Sequence, residues 1–399
     1  MTSPVNLADR LLAQVDEAAV TASLGEMVAI ESVNPFDDQP SPGCREQEFA
    51  DYFCGRLEEL GLEVTRRDVV AGRPNVCGRL KGCGNGRSVM LTGHMDTVGV
   101  DGYDGAFAPR VEDGRLHGRG ACDMKAALAA YLEVARVVRD TGTELQGDLL
   151  IGAVCDEEHL MLGSKDWGPN WPHADFGIIG EPTELAVCPA HKGQACLLIR
   201  TFGKAVHSSV PERGENAIVR MARIISAFDD YNAELATRSP HPLCGHGRFS
   251  PGVIQGGTIA SAVPDFCELE ADRRMVPGET LDQIIAEYRA RIDPLIEQDP
   301  TFRYEIDGPT VGIGALDISP DDEIVRALAQ AVEQVTGKPA PIDAFPGGTD
   351  APNMGFPCII CGPGALVQAH TTNEYVETRQ LADAVRIYLL TILEMTGTA

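Results

Sequence analysis

Seven residues of this chain combine side chain and setting in a way that suits divalent-metal chemistry. His94 and Asp96 follow the apolar run SVMLTG, Glu157 and Glu158 follow LLIGAVCD, Glu181 follows FGIIG, and His370 follows CIICGPGALVQA. Asp123 opens a helix-like stretch, MKAALAAYLEVARVV. Imidazole nitrogens and carboxylate oxygens are ligands for ions such as zinc. Open α/β sheets bind ligands outside the carboxyl ends of their strands. Strand-end histidines and acids delivered to one such edge would make a metal site.

Each residue alone has a plainer reading. Asp96, two residues beyond His94, points the same way on an extended segment and could receive the ring's other N–H; the alternative is a solvated aspartate beside a loop-end histidine. Asp123 suits a helix N-cap. Glu157 and Glu158 follow a strand, where side chains alternate in direction, so one could bind metal and the other face the substrate as a general base. Glu181 also reads as a cap, and a lone His370 as a surface loop residue. The conjunction favours the metal reading.

The elements that must position these residues are legible from periodicity. Residues 5–30 read as one opening helix, ended by Asn34-Pro35 and followed by a turn-rich stretch to about Gly43. CREQEFADYFCGRLEELG reads as a second helix closed by Gly61. Strands LEVTRRDV, PNVCGRL, SVMLTG, DLLIGAV and FGIIG follow, with the long helix after Asp123 among them. This alternation predicts an α/β fold with a mixed, largely parallel sheet covered by helices. From about Cys188 the texture becomes α+β, with helices NAIVRMARIISAFDDYNAELA and TLDQIIAEYRARIDPLIEQ. An inserted domain over 188–308 is expected, splitting the first domain into 1–187 and 309–399, with PTVGIGALDI its resumption.

Composition narrows the function. The 399 residues hold 44% apolar and 23% charged side chains, within the globular range. With 33 basic against 59 acidic residues the formal charge is −26, a field that repels phosphate backbones and anionic lipid. No nucleic-acid or membrane partner is expected. No run approaches the ~18 apolar residues of a membrane span. The opening segment lacks a signal peptide's apolar core. Many of the twelve cysteines lie in apolar runs, so a reducing, cytoplasmic setting is expected. GCGNG precedes a strand and lacks the Lys-Ser/Thr ending of a phosphate loop. Cys358-x-x-Cys361 has no second pair. His241 and His246 read as loop residues. HEXXH and G-x-S-x-G are absent.

The pieces GHMDTV, GRGACDMKAALAA, DEEHLMLGS, GEPT, HKGQ, GKAVHSSVPERGENAI, VPDFCELEADRRMVPGE, FPGGTDAP and GPGALVQAHTTNEYVE run in order from residue 93 to 378. In these the chain resembles the co-catalytic zinc metallopeptidase family of acetylornithine deacetylase, succinyl-diaminopimelate desuccinylase, aminoacylase and glutamate carboxypeptidase. The resemblance implies a zinc exopeptidase-like catalytic domain with an inserted lid and dimerisation domain. It implies two divalent ions per chain, zinc with cobalt possible: one held by His94, Asp123 and Glu181, the other by Asp123, Glu158 and His370. Asp96 would orient His94, and Glu157 would be the general acid/base. His207 would stabilise the oxyanion, often from the partner of a homodimer. Arg274 would bind the substrate carboxylate, and Gly347, Gly348, Thr349 and Asp350 would line the pocket. Ser261 departs from the asparagine usual in relatives. The implied reaction removes an acyl group from a small N-acyl amino acid, with N-acetylornithine first because HKG, FPGGTDAP and AHTTNEYVETR look most like acetylornithine deacetylase. Desuccinylation of N-succinyl-diaminopimelate, broader N-acyl amino acid deacylation and dipeptide hydrolysis are the alternatives. A non-catalytic ligand-binding relative is the alternative from another class, opposed by the presence of every expected ligand and the base.

Overall fold

Three apolar runs form the parallel heart of a mixed sheet. In the computed structural model, which describes residues 4–36 and 44–398, the strand Val89–His94 lies between Leu149–Val154 and Phe176–Ile179 and is parallel to both. Cys358–Ile360 continues the parallel set beside Phe176–Ile179. Val89–His94 and Leu149–Val154 are buried at every residue, as strands covered on both faces must be. Arg73–Leu80 adds antiparallel to Leu149–Val154, and Glu63–Val70 pairs with Arg73–Leu80 at the more polar edge.

Helices Glu17–Val28, Glu46–Glu59, Lys125–Asp140, Glu323–Thr336 and Thr378–Thr396 share one core with these strands, through side chains such as Leu24, Phe53, Leu91, Ile151, Leu328 and Ile387. This first unit comprises Met1–Pro189, Ile318–Phe345 and Thr349–Ala399.

Two expectations change here. The opening helix is two, Pro4–Leu12 and Glu17–Val28. Asp16 breaks it by accepting the N–H groups of Ala18 and Ala19, while its own N–H donates to Glu133. A side chain that caps a new helix stops the old one, although apolar periodicity runs through. Asp123 caps nothing: the next helix starts at Lys125 after Met124, which makes no side-chain cap bond. The turn reading of 37–43 lies outside the described residues. Gly61, by contrast, closes Glu46–Glu59 as expected, with φ of 83°.

The second unit, Ala190–Asp317 with Pro346–Gly348, has its own antiparallel sheet. Its strands lie in the order Arg248–Gly256, Phe266–Met275, Gly193–Phe202, Arg303–Ile313. Phe266–Met275 alternates buried and open positions, the mark of a sheet with one covered face. Leu197, Ile199, Met221, Leu269 and Tyr288 lie in the core under helices Ala217–Ala227 and Leu281–Gln298. Thr280 and Gln283 form a capping box that starts the latter. The unit ends at Asp317 rather than 308, because Arg303–Ile313 pairs with Gly193–Phe202; PTVGI completes this sheet instead of returning to the first. The helix expected over 216–236 is also two, Ala217–Ala227 and Tyr231–Thr237. Among the described residues no helix is long and apolar enough to cross a membrane.

Candidate metal centre

Strand register brings the chemical residues together. His94 ends its strand opposite Val154, and Thr92 lies opposite Ile179. Three parallel strands therefore finish at one edge, with Glu157, Glu158 and Glu181 a few residues past their ends. Strand alternation does not separate Glu157 from Glu158. The strand stops at Val154, and both glutamates sit in a turn entered through Asp156 at φ of 66°. Aspartate tolerates that left-handed backbone better than most residues. Asp156 accepts the N–H groups of Leu160 and Leu162 on one oxygen, and Asn34 Nδ2 and the Arg73 guanidinium on the other.

Asp123 lies between the two histidines. His94 Nε2 is 3.2 Å from its Oδ1 and His370 Nε2 is 3.4 Å from its Oδ2. His370 Nε2 also stands 3.0 Å from Glu158, and His94 Nε2 stands 3.9 Å from both Glu181 and Glu157. One ligand atom each from His94, Asp123 and Glu158 fits within 4.8 Å of the others. Asp96 has a different geometry from the expected one. The His94 Nδ1 atom lies 2.9 Å from the main-chain carbonyl of Asp96, and 3.6 Å from its carboxylate. The carboxylate accepts the N–H groups of Glu157 and Glu158, each at 3.1 Å, and Asn34 Nδ2 at 2.7 Å.

The electrostatics are those of acids crowded around two imidazoles. Burial alone would lower the His94 pKa, but Asp123 and Asp96 raise it well above the usual histidine value. His370 is raised to about 10 by Asp123 and Glu158. Burial pushes Asp123 up, and its bonds to His370 and His94 overcome that, so it stays below the ordinary carboxylate range. Glu157, Glu158 and Glu181 are all raised, burial first; His94 opposes this in each, and neighbouring carboxylates add to it. Among the described residues, Glu158 Oε1 and Glu181 Oε1 are buried without a hydrogen-bond donor. Buried carboxylate oxygens short of donors, beside imidazole nitrogens, fit a divalent cation.

The remaining predicted residues fall elsewhere in the two units. In the first, Thr349 and Asp350 are buried, and burial raises Asp350 to about 6. In the second, His207 is exposed and its Nδ1 contacts the hydroxyl and N–H of Ser209. Arg274 donates through Nε to Asp272. Gly347 and Gly348 group with this unit.

Sequence reasoning missed the support beneath the site: Asn34, Asp156, Arg73 with Glu46, and Glu374 with Arg119. The available signals were an Arg inside the glycine run GRGACD and an acid, Glu374, directly ahead of a short strand.

Comparison with known proteins agrees with this architecture. The model of peptidase family M20/M25/M40 matches residues 90–394. An N-formyl-4-amino-5-aminomethyl-2-methylpyrimidine deformylase of Bacillus subtilis (strain 168) is 30% identical over 386 residues, 88% of this chain and 90% of that protein. An acetylornithine deacetylase of Salmonella heidelberg (strain SL476) is 33% identical over 343 residues, 82% of this chain and 85% of its own. Among solved structures, aminopeptidase PepT from Bacillus cereus superposes with a TM-score of 0.80 at 21% identity, covering 96% of this chain and 99% of that one; this likeness speaks for the fold. A family model spanning most of the sequence, with relatives of this identity along nearly their whole length, leaves one assignment: the chain belongs to peptidase family M20/M25/M40.

Proposed function

We propose that this hydrolase-family chain is a dinuclear metal-dependent amidohydrolase that removes an acyl group from an N-acyl amino acid. His94, Asp123 and Glu181 hold one ion, and Asp123, Glu158 and His370 the other. The observation that carries this reading is the Asp123 carboxylate, with one oxygen 3.2 Å from His94 and the other 3.4 Å from His370. Zinc is the expected metal, with cobalt as the alternative. Bound there, the ions polarise the scissile carbonyl and acidify the attacking water. Glu157 takes the water's proton on its carboxylate and passes it to the departing amine nitrogen, as the C–O bond forms and the C–N bond breaks. Burial raises the Glu157 carboxyl, His94 opposes this and neighbouring acids add to it, a shift in the direction that favours a group able to hold a proton between taking and releasing it.

The second unit supplies the lid and the dimer face in this reading. Nδ1 of His207 accepts the Ser209 N–H, which leaves the proton on Nε2, the form able to donate to an oxyanion. Arg274 takes the substrate carboxylate and the loop 347–350 lines the pocket. Homodimerisation is supported by the edge strand Arg248–Gly256, which pairs along one side with Phe266–Met275 and exposes Val253 and Ile254. A cytoplasmic location is supported by the buried thiols of Cys155, Cys358 and Cys361 in the core.

N-acetylornithine is the first candidate substrate, supported by the deacetylase relatives at about 30% identity. The deformylase relative, matched over 386 residues, favours deformylation of an N-formyl amine as the second reading. A hydrolysis panel of N-acetyl, N-formyl, N-succinyl and dipeptide substrates with zinc or cobalt, beside metal analysis, tests both. Turnover of N-acetylornithine above the others supports the first. A protein that binds no ion and hydrolyses none of the panel removes the proposal.

A further inference from the structure

Beside the strand pair of Tyr375–Glu377 with Arg115–His117, the chain runs from His370 through a short turn to Glu374. The main-chain carbonyl of Glu374 accepts the N–H of Gly118, which fixes its place against the segment that leads to Asp123. Its side chain is 1% exposed and takes four donors, two on each oxygen. Oε1 accepts the N–H groups of Cys122 at 2.8 Å and Asp123 at 3.0 Å. Oε2 accepts the N–H of Gly120 at 3.1 Å and Arg119 Nη1 at 2.6 Å. Three of the four donors are main-chain groups of Asp123 itself and of the turn just before it. Gly120 makes that turn possible: its φ of 80° is left-handed, and a Cβ there would lie 2.9 Å from Thr97 Cγ2.

A plain salt-bridge partner for Arg119 would need only one of these contacts. We propose that Glu374 is a positioning residue that holds the Asp123 carboxylate between His94 and His370. One loop then supplies both a ligand, His370, and the anchor of the shared carboxylate four residues further on. The inference rests on Asp123 being a shared metal ligand, as proposed above. Partners that orient ligands in this way are worth about 10- to 100-fold in metal affinity when lost.

The test is zinc titration against a chromophoric chelator for the wild type, Glu374→Gln and Glu374→Asp, with the visible spectrum of each cobalt-loaded form. Glutamine keeps the shape but turns one acceptor into a donor facing two other donors. Aspartate keeps the charge and withdraws it by one methylene, and it serves if the glutamine variant does not fold. The expected result is affinity for at least one ion lower by roughly 10- to 100-fold, with an altered cobalt spectrum, in a variant that folds without metal. Wild-type affinity and spectrum, with only the melting temperature of the metal-free protein lowered, overturn the proposal and leave Glu374 a structural residue. A wild type that binds no ion overturns the metal reading itself, before any variant is compared.

Discussion

Asp96→Asn separates two jobs that one carboxylate beside a histidine can do. The Asp96 carboxylate is 3.6 Å from His94 Nδ1, too long for a hydrogen bond, whereas the main-chain carbonyl of the same residue is at 2.9 Å. Its oxygens instead accept the N–H groups of Glu157 and Glu158 and the amide of Asn34. Asparagine can keep its oxygen toward Glu158 and Asn34, which sets its NH2 against the Glu157 N–H. One buried donor then loses its acceptor, at a cost of roughly 1–3 kcal/mol. Since ~1.4 kcal/mol is tenfold in rate, a displacement felt fully at Glu157 lowers kcat by about 5- to 150-fold. The carbonyl that orients His94 survives the substitution, so zinc affinity stays near the wild-type value. Steady-state kinetics on the best substrate of the panel, with zinc titration, measure both. A variant with wild-type kcat at saturating zinc but much weaker zinc binding refutes this reasoning and returns the carboxylate to His94.

Glu157→Gln is expected to keep its ions and lose about 10²- to 10⁴-fold in kcat, measured with metal content in parallel; near-normal turnover removes Glu157 as the base. Gly120→Ala adds a Cβ at φ of 80° against Thr97 Cγ2 at 2.9 Å and Lys125 Cδ at 3.0 Å. It should lose roughly 1–2 kcal/mol from the left-handed backbone and about 1–3 kcal/mol from overpacking, read as a lower urea midpoint. For the metal-free protein the share of the pH dependence that comes from the site has a definite sign. His370 is raised from 6.5 to about 10, so its stabilising contribution is complete below 6.5 and lost as pH rises through about 10. The raised Glu157, Glu158 and Glu181 act in the same direction as pH rises above their ordinary range. Buried Lys125, lowered to about 7, acts the other way over that window. The urea midpoint of the chelated wild type should therefore fall there relative to that of chelated His370→Asn, while zinc affinity rises as protons leave its ligands. A metal-free wild type that gains stability there relative to that variant contradicts the assignment.

What could be read from the sequence was whatever a short period or a single side chain encodes. The apolar runs around SVMLTG, LLIGAV and FGIIG announce buried strands, and the acids and histidines after them announce an edge. The cap at Asp16 is local too, yet it competes with a helical periodicity that continues on both sides, and periodicity cannot register that competition. The end of the second unit is a question of strand pairing. PTVGI is equally strand-like in either sheet, and only its register with Gly193–Phe202 decides. The supports are the least visible. Asn34 reaches Asp96 across 62 residues and Glu374 reaches Cys122 across 252, separations at which no local pattern exists.

Two kinds of buried acid meet at this edge, and their difference explains which of them call for a cation. Asp96, Asp156 and Glu374 are supplied with donors by the chain: main-chain N–H groups, Asn34, Arg73 and Arg119. Each such acid sets backbone, because a carboxylate satisfied by N–H groups fixes the turn that carries them. Among the described residues, Glu158 and Glu181 each keep one buried oxygen without a donor, and imidazoles stand against both oxygens of Asp123. Burying charge in that state is costly unless a proton or a cation shares it. Burial raises both glutamates, and Asp123 and Glu158 raise His370, so without metal the balance shifts toward a proton in that role. In the proposed centre metal and protons would thus compete for the second group and leave the first alone. Substitutions in the first group should therefore disturb geometry at fixed ion stoichiometry, and substitutions in the second should remove ions from a backbone that keeps its shape.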